Sequence, residues 1–313
     1  MLELCTPIIF ASNKTFSIHK KELNIHTQTH GVDSVSKCVP NKVNLVNVWK
    51  EQVEVEFGQE TKLGGKYALL SLKSAVEALQ KNEIDVLVTA PINKHNIQSE
   101  DFKFSGHTEF LEANLEGESL MILMTNELKI GLITGHIPVQ KIAETITAQL
   151  IEKKVDIMYN SLIKDFKISK PKIAVLGLNP HCGDNGVIGE EDDALIRPTL
   201  EKIQTNGKLV YGPFSADSFF GSGSYKNYDG ILAMYHDQGL APFKTLSFGS
   251  GVNFTAGLNK IRTSPDHGTA FEIAGKGEAD NNSFKEALYT AIDVFKNRSE
   301  FNELIENKLR TRK

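Results

Sequence analysis

The sequence predicts an α/β protein with a mixed sheet, and three observations carry that expectation. Short apolar runs of strand length alternate with longer amphipathic stretches along most of the chain. Three of the apolar runs, at 129–136, 172–181 and 229–236, each end in a histidine. The runs Leu120-Met-Ile-Leu-Met-Thr and Lys129-Ile-Gly-Leu-Ile-Thr flank Asn126-Glu127 as a hairpin does, which turns one strand antiparallel.

In chain order, residues 27–62 are polar, rich in Asn, Gln and Val, and without clear periodicity; they read as an excursion from the main sheet. A helical stretch over 66–81 leads to the short strand Ile84-Asp-Val-Leu-Val-Thr-Ala. Phe104-Ser-Gly-His-Thr-Glu reads as a glycine turn opening a helix. After the hairpin, Ile142, Ile146, Leu150, Val155, Ile157, Met158 and Leu162 recur at helical spacing, predicting one long helix over 139–166. Ser169-Lys-Pro171 breaks it before the next strand. Residues 190–205 begin with acidic side chains and stop at Asn206-Gly207, as a helix does. The tail over 283–309 reads as one or two helices. No repeat or Pro/Gly linker is present, so two lobes would form by the chain crossing between them.

Composition excludes several classes. The 313 residues are 40% hydrophobic and 24% charged with a net charge of −4, which offers no overall polyanion-binding surface. A phosphorylated ligand would need a local basic cluster. No apolar run approaches the ~18–20 residues that span a bilayer, and the first residues lack the basic and apolar regions of a signal peptide. Cys5, Cys38 and Cys182 are too few and scattered for a disulfide framework or a cysteine-rich zinc site. The expected setting is the cytoplasm, with neither nucleic acid nor membrane as partner.

The histidines carry the chemical argument. In open α/β sheets ligands sit beyond the carboxyl ends of strands, and imidazole is a common ligand of divalent metals. His136, His181 and His236 in the same structural role, with an open position for water or substrate, would make a catalytic metal site; singly, each would pass as a hydrogen-bonded structural residue. His236 is followed by Asp237-Gln238-Gly239, which puts polar partners at hand. His107 and Thr108 at a helix start suit a phosphate or carboxylate cradle; the plain alternative makes Thr108 an N-cap and His107 a surface residue. Lys244 can act as a general acid or a point charge, and Arg262 suits bidentate binding of an anion, with Asn253 between them in sequence. Asp217 either supports a metal or base or belongs to a turn. Neither a Rossmann fingerprint nor a Walker motif is present.

Five blocks are more specific: Ser105-Gly-His-Thr-Glu109, Gly177-Leu-Asn-Pro-His181, Leu232-Ala-Met-Tyr-His-Asp-Gln-Gly239, Gly251-Val-Asn-Phe-Thr255 and Ile261-Arg-Thr-Ser-Pro-Asp-His-Gly-Thr269. From about residue 84 to the C-terminal helix the chain resembles the 4-hydroxythreonine-4-phosphate dehydrogenase (PdxA) family of pyridoxal phosphate biosynthesis. The resemblance implies the isocitrate/isopropylmalate dehydrogenase type of fold, with two lobes around a cleft and a site at the interface of a homodimer. It implies that His136, His181 and His236 hold one divalent metal (Zn, Mg or Co). His107, Thr108, Lys244, Asn253 and Arg262 match substrate positions. The block from His267 through Gly268 and Thr269 to Gly277 resembles the cofactor loop of isopropylmalate dehydrogenases, so NAD or NADP would bind without a Rossmann fingerprint. The implied enzyme oxidises 4-phosphooxy-L-threonine to 2-amino-3-oxo-4-phosphooxybutanoate, which loses carbon dioxide to give 3-amino-2-oxopropyl phosphate. Lys244 would transfer a proton or balance charge. Two rival expectations stand beside it: a sibling dehydrogenase of threonate or erythronate 4-phosphate, and a catalytically silent ligand-binding homologue. The family's opening strand and its turn of the form Gly-Asp-x-x-Gly-Ile-Gly-x-Glu have no counterpart here, so the first strand and most of the first helix are expected to be missing.

Overall fold

Asn44 shows how the irregular N-terminal stretch becomes ordered. Its buried side chain accepts from the Val39 amide (2.9 Å) and donates to the Val39 and Lys42 carbonyls (both 3.0 Å), which closes the turn before a strand. The computed structural model describes residues 1–247 and 249–307. The chain divides into two compact units, Met1–Glu116 with Lys260–Ile292, and Gly117–Asn259 with Asp293–Lys313.

The first unit begins with β1 (Ile8–Ala11), α1 (Asn13–Glu22), β2 (His30–Val32) and β3 (Asn44–Asn47). These strands form a separate parallel sheet in the order β1-β3-β2. Residues 27–62 thus supply β2 and β3, which join β1 in a sheet separate from the main one, in keeping with the excursion expected there. Helix α2 (Lys62–Gln80) starts four residues before the expected span. Thr61 caps it by accepting from the Gly64 amide (3.0 Å), and Leu69, Leu72, Val76 and Leu79 line its buried face. Strand β4 (Val86–Val88) and helix α3 (His107–Asn114) follow.

The second unit opens with β5 (Gly117–Met124) and β6 (Lys129–Leu132), an antiparallel hairpin as expected. The expected long helix over 139–166 is corrected: it is two helices, α4 (Ile142–Thr145) and α5 (Ala148–Lys164). Ile146 is extended, and the Thr147 side chain accepts from the Leu150 amide (3.2 Å), so a second helix is capped where the apolar spacing continues unbroken. Strand β7 (Lys172–Leu176) leads through residues 177–191 to a π-turn over Asp192–Ile196 and then α6 (Arg197–Thr205). β8 (Leu209–Phe214), α7 (Ala216–Gly221), β9 (Gly230–Ala233), α8 (His236–Leu246) and β10 (Val252–Leu258) complete the unit's sheet and its cover.

The strand order in this unit is β10-β5-β6-β9-β7-β8; β6, β9, β7 and β8 are mutually parallel, and β5 is antiparallel to both its neighbours. The expected α/β class with a mixed sheet holds. Ile130, Leu132, Ala174, Leu176, Ile231 and Ala233 of the sheet pack with Leu240 and Phe243 of α8 as one core cluster. Gly239 permits this contact, because a Cβ there would lie 2.9 Å from the Ala233 Cβ and the Ile130 Cγ2.

The chain returns to the first unit with β11 (Ile261–Pro265), parallel to β4. The tail forms one helix, α9 (Asn282–Glu306); Leu309, where the expected span ended, lies outside the described residues. Among the described residues no helix is long and apolar enough to cross a membrane.

Candidate active site

Parallel pairing in the second unit sets the geometry of the histidines. Leu132 of β6 is in register with Ala233 of β9, and Leu232 of β9 with Val175 of β7. The segments leaving β6, β9 and β7 therefore emerge at the same edge of three adjacent strands. The Ile133 amide donates to the Ala233 carbonyl (2.8 Å), and the Thr134 amide and hydroxyl both donate to the Met234 carbonyl (3.2 and 2.6 Å). The ladder so extended delivers His136 and His236 side by side, with ring centroids 5.4 Å apart. His236 opens α8, and its Nδ1 pairs with Asp237 Oδ1 at 2.6 Å, which leaves Nε2 as the outward nitrogen.

Gln238 fastens the third segment. Its Oε1 accepts from the Met234 amide (2.7 Å) and its Nε2 donates to the Gly177 carbonyl (2.6 Å). One side chain thus ties the end of β9 to the end of β7. His181 follows in an exposed turn whose residues 181–186 all have positive φ, from 45° at Asp184 to 89° at Gly186. Such backbone costs roughly 1–2 kcal/mol per non-glycine residue. Gly183 is required there, with φ +82° and a Cβ position only 2.3 Å from the Gly189 carbonyl oxygen.

Among the described residues no three His, Cys, Asp or Glu side chains converge closely enough to hold a metal ion. His136 and His236 are brought together and fit half of such a site: two imidazoles at one edge, one of them oriented by a carboxylate. His181 is on the neighbouring segment outside that pair. Asp217, at the start of α7, accepts from the Ser215 hydroxyl at 2.5 Å. That bond, the Ser218 amide and, more weakly, the His181 imidazole hold its carboxyl below the usual range. Lys244 is exposed in the last turn of α8. Asn253, second in β10, is half-buried, and its Oδ1 is covered by protein yet accepts no hydrogen bond. A buried amide oxygen without a donor is a polar group awaiting a partner.

In the first unit, Arg262 on β11 is 2% exposed and donates from Nε and Nη2 to the Thr89 hydroxyl (3.0 and 2.8 Å). Burial lowers its pKa to about 9, with Glu109 pulling the other way, so the guanidinium remains a cation at neutral pH. His107 occupies the first position of α3; its pKa is lowered to about 3 by burial, then by the charges of Arg262 and Lys94, against Glu109. The imidazole is neutral there. Gly106, not Thr108, is the N-cap, and Thr108 lies inside the first turn. The plain alternative for this pair is therefore corrected: glycine's extended backbone already starts the helix, and His107 is partly buried instead of a surface residue. Downstream of β11, His267 Nδ1 donates to the Gly268 carbonyl (2.9 Å) in an exposed loop, and the space beyond the Gly268 Cα is open. Thr269 is half-buried in the same loop.

Sequence reading passed over Thr89, Glu109, Lys94 and Asp192 as site neighbours. Only Glu109 stood inside a recognised block, and nothing in local periodicity distinguishes the others from ordinary polar residues.

The model of the pyridoxal phosphate biosynthetic protein PdxA family matches residues 3–291. A 4-hydroxythreonine-4-phosphate dehydrogenase of Bacteroides thetaiotaomicron is 52% identical over 300 residues, covering 95% of this chain and 82% of the relative. One from Sulfurihydrogenibium sp. is 41% identical over 286 residues, covering 91% and 88%. The crystal structure of the Klebsiella pneumoniae 4-hydroxythreonine-4-phosphate dehydrogenase superposes with a TM-score of 0.78 at 31% identity, covering 92% of this chain and 88% of that one. With this likeness running through every block that carries the candidate residues, the chain belongs to the PdxA family of pyridoxal phosphate biosynthetic proteins.

Proposed function

We propose that this chain is the NAD(P)-dependent dehydrogenase of 4-phosphooxy-L-threonine in pyridoxal phosphate biosynthesis. Family membership makes it a dehydrogenase; the observation that supports the finer reading is the pairing of His136 and His236, rings 5.4 Å apart, at the carboxyl edge of β6 and β9. When bound, a divalent metal supplies Lewis acidity to the C3 hydroxyl and a nicotinamide supplies the hydride acceptor.

The chain's own residues divide the remaining work. In the second unit His136 and His236, already side by side, would hold the metal, with His181 from the neighbouring segment as the third ligand of the set. Asp237 keeps the His236 ring in the orientation that points Nε2 outward. Asn253 offers its unpartnered amide oxygen to the substrate's donors. Lys244, exposed on α8, takes up or returns the proton that leaves as the hydroxyl becomes a carbonyl, or balances charge at the substrate. In the first unit Arg262 is a fixed cation for phosphate or carboxylate. His107 stays neutral at working pH, so it recognises by hydrogen bonding and adds no charge, while Thr108 contributes its hydroxyl. His267, Gly268 and Thr269 hold the cofactor. The same reading carries a homodimer in the cytoplasm.

The test is NADH formation from 4-phosphooxy-L-threonine and NAD with a divalent metal, wild type beside His236→Ala. The variant is expected to fold normally and to lose more activity than the roughly 10–100-fold typical when an outer partner of a metal ligand is removed. A folded, metal-supplied wild type without turnover overturns the reading.

A further inference from the structure

The His181 turn is held from an unexpected direction. Asp192, fully buried at the start of the π-turn, accepts from three donors at once: the Leu178 amide (2.8 Å), the Asn179 amide (2.9 Å) and the Asn179 side-chain amide (3.1 Å). Glu191 takes the same Asn179 nitrogen at 2.8 Å. Gly177 completes the fit, because a Cβ there would lie 2.8 Å from both Asp192 Oδ1 and Cys182 Sγ. The two residues that bond Asp192 directly precede Pro180-His181, and left-handed backbone begins at His181 itself (φ 53°). A run of six residues with positive φ persists only where its surroundings over-determine it. Its downstream end, at Asp184 and Asn185, is exposed. The buried anchorage lies upstream, on Asp192.

We propose that Asp192 is a positioning residue: its carboxylate holds the backbone of residues 178–179 so that the strained turn presents His181 in one place. The proposal builds on the reading of His181 as a working residue of the site. It has a consequence that a general stabilising role lacks. Strain relief inside the turn should compensate for loss of the anchor. Cys182 (φ 54°) carries no assigned role, and glycine there adopts the same backbone without strain.

The experiment compares wild type, Asp192→Asn, Asp192→Glu, Cys182→Gly and the Asp192→Asn/Cys182→Gly double variant. Amide hydrogen exchange over residues 177–189 is read without substrate or added metal, together with kcat and KM. Asp192→Asn is expected to speed exchange in that segment at least about tenfold while β7 and β9 exchange as in wild type, and to lower kcat more than KM. Adding Cys182→Gly should restore roughly fivefold of the lost kcat and part of the protection. Should Asp192→Asn fold poorly, Asp192→Glu supplies the same comparison with the charge retained and the reach altered. Unchanged exchange in 177–189, or acceleration spread evenly through the sheet without rescue by glycine, overturns the proposal. Faster local exchange in a protein whose wild type shows no turnover overturns the functional reading and leaves the anchoring intact.

Discussion

At the scale of single residues, the two groups with the largest shifts are neighbours in the first unit and owe them mainly to burial. Arg262 stays charged because its lowered pKa of about 9 still lies above neutral pH. His107, lowered from 6.5 to about 3, stays neutral. The second shift has a measurable consequence. Below pH 6.5 the unfolded chain binds a proton at this histidine that the folded chain refuses until about pH 3. Stability is therefore undiminished above the unfolded pKa and declines as pH falls below it. Between pH 8 and pH 5 this residue alone should cost up to about 2 kcal/mol. Denaturant unfolding at the two pH values should show a smaller acid loss in His107→Gln than in wild type; equal losses would contradict the burial of a neutral imidazole. The blocks around His107, His181 and His236 were legible in sequence because each sits at a turn where residue type is constrained. The neutral state of His107 was not, because it comes first from burial and then from the charges of Arg262, Glu109 and Lys94, all brought about by folding.

At the scale of elements, the hairpin of β5 and β6 follows from two apolar runs and a two-residue polar break, information that is wholly local. The division of the expected helix over 139–166 does not. Apolar periodicity continues across Ile146 and Thr147, whereas the extended backbone at Ile146 and the Leu150 amide donating to the Thr147 hydroxyl mark the start of a new helix. A cap is a choice between two local hydrogen-bond arrangements, and periodicity is blind to it. Thr147→Ala should lower stability by about 1 kcal/mol, and Thr147→Ser by much less, measured by chemical denaturation. Identical loss in both would mean that the hydroxyl does not cap α5. Gln238 also acts between elements. It stood in view within the Tyr-His-Asp-Gln-Gly block as a polar neighbour of His236, whereas in the fold it spans from the Met234 amide to the Gly177 carbonyl.

At the scale of the whole molecule, the second unit depends on a buried ion pair joining distant parts of the chain. Arg298 on α9 donates from Nε to Asp165 Oδ1 (2.6 Å) and from Nη1 to the Leu258 carbonyl (3.2 Å). Asp165 also accepts from the Ser161 hydroxyl (2.7 Å), and both charged residues are under 10% exposed. Removing one partner strands a buried charge and typically costs 3–5 kcal/mol, whereas replacing both by apolar residues can be nearly neutral. Arg298→Met is therefore expected to lose roughly 3–5 kcal/mol, and Asp165→Leu/Arg298→Met to lie closer to wild type than either single variant. Additive losses would show that the pair is not coupled. The sequence offers no hint of this contact across 133 positions, since neither residue lies in a recognisable motif.

What the sequence determined by itself is the α/β class, the hairpin and the identity of the blocks that mark the family. Each is written in local periodicity or in short runs of constrained residue types. Tertiary structure alone decided which side chains meet. His136 and His236 become neighbours because β6 pairs with β9 in parallel register, and the turn carrying His181 is fastened by Gln238 from the first turn of α8 and by Asp192 from the start of the π-turn. Pairing register and buried polar partnership are settled by which surfaces pack and which donors lose their water, and those are properties of the folded chain as a whole.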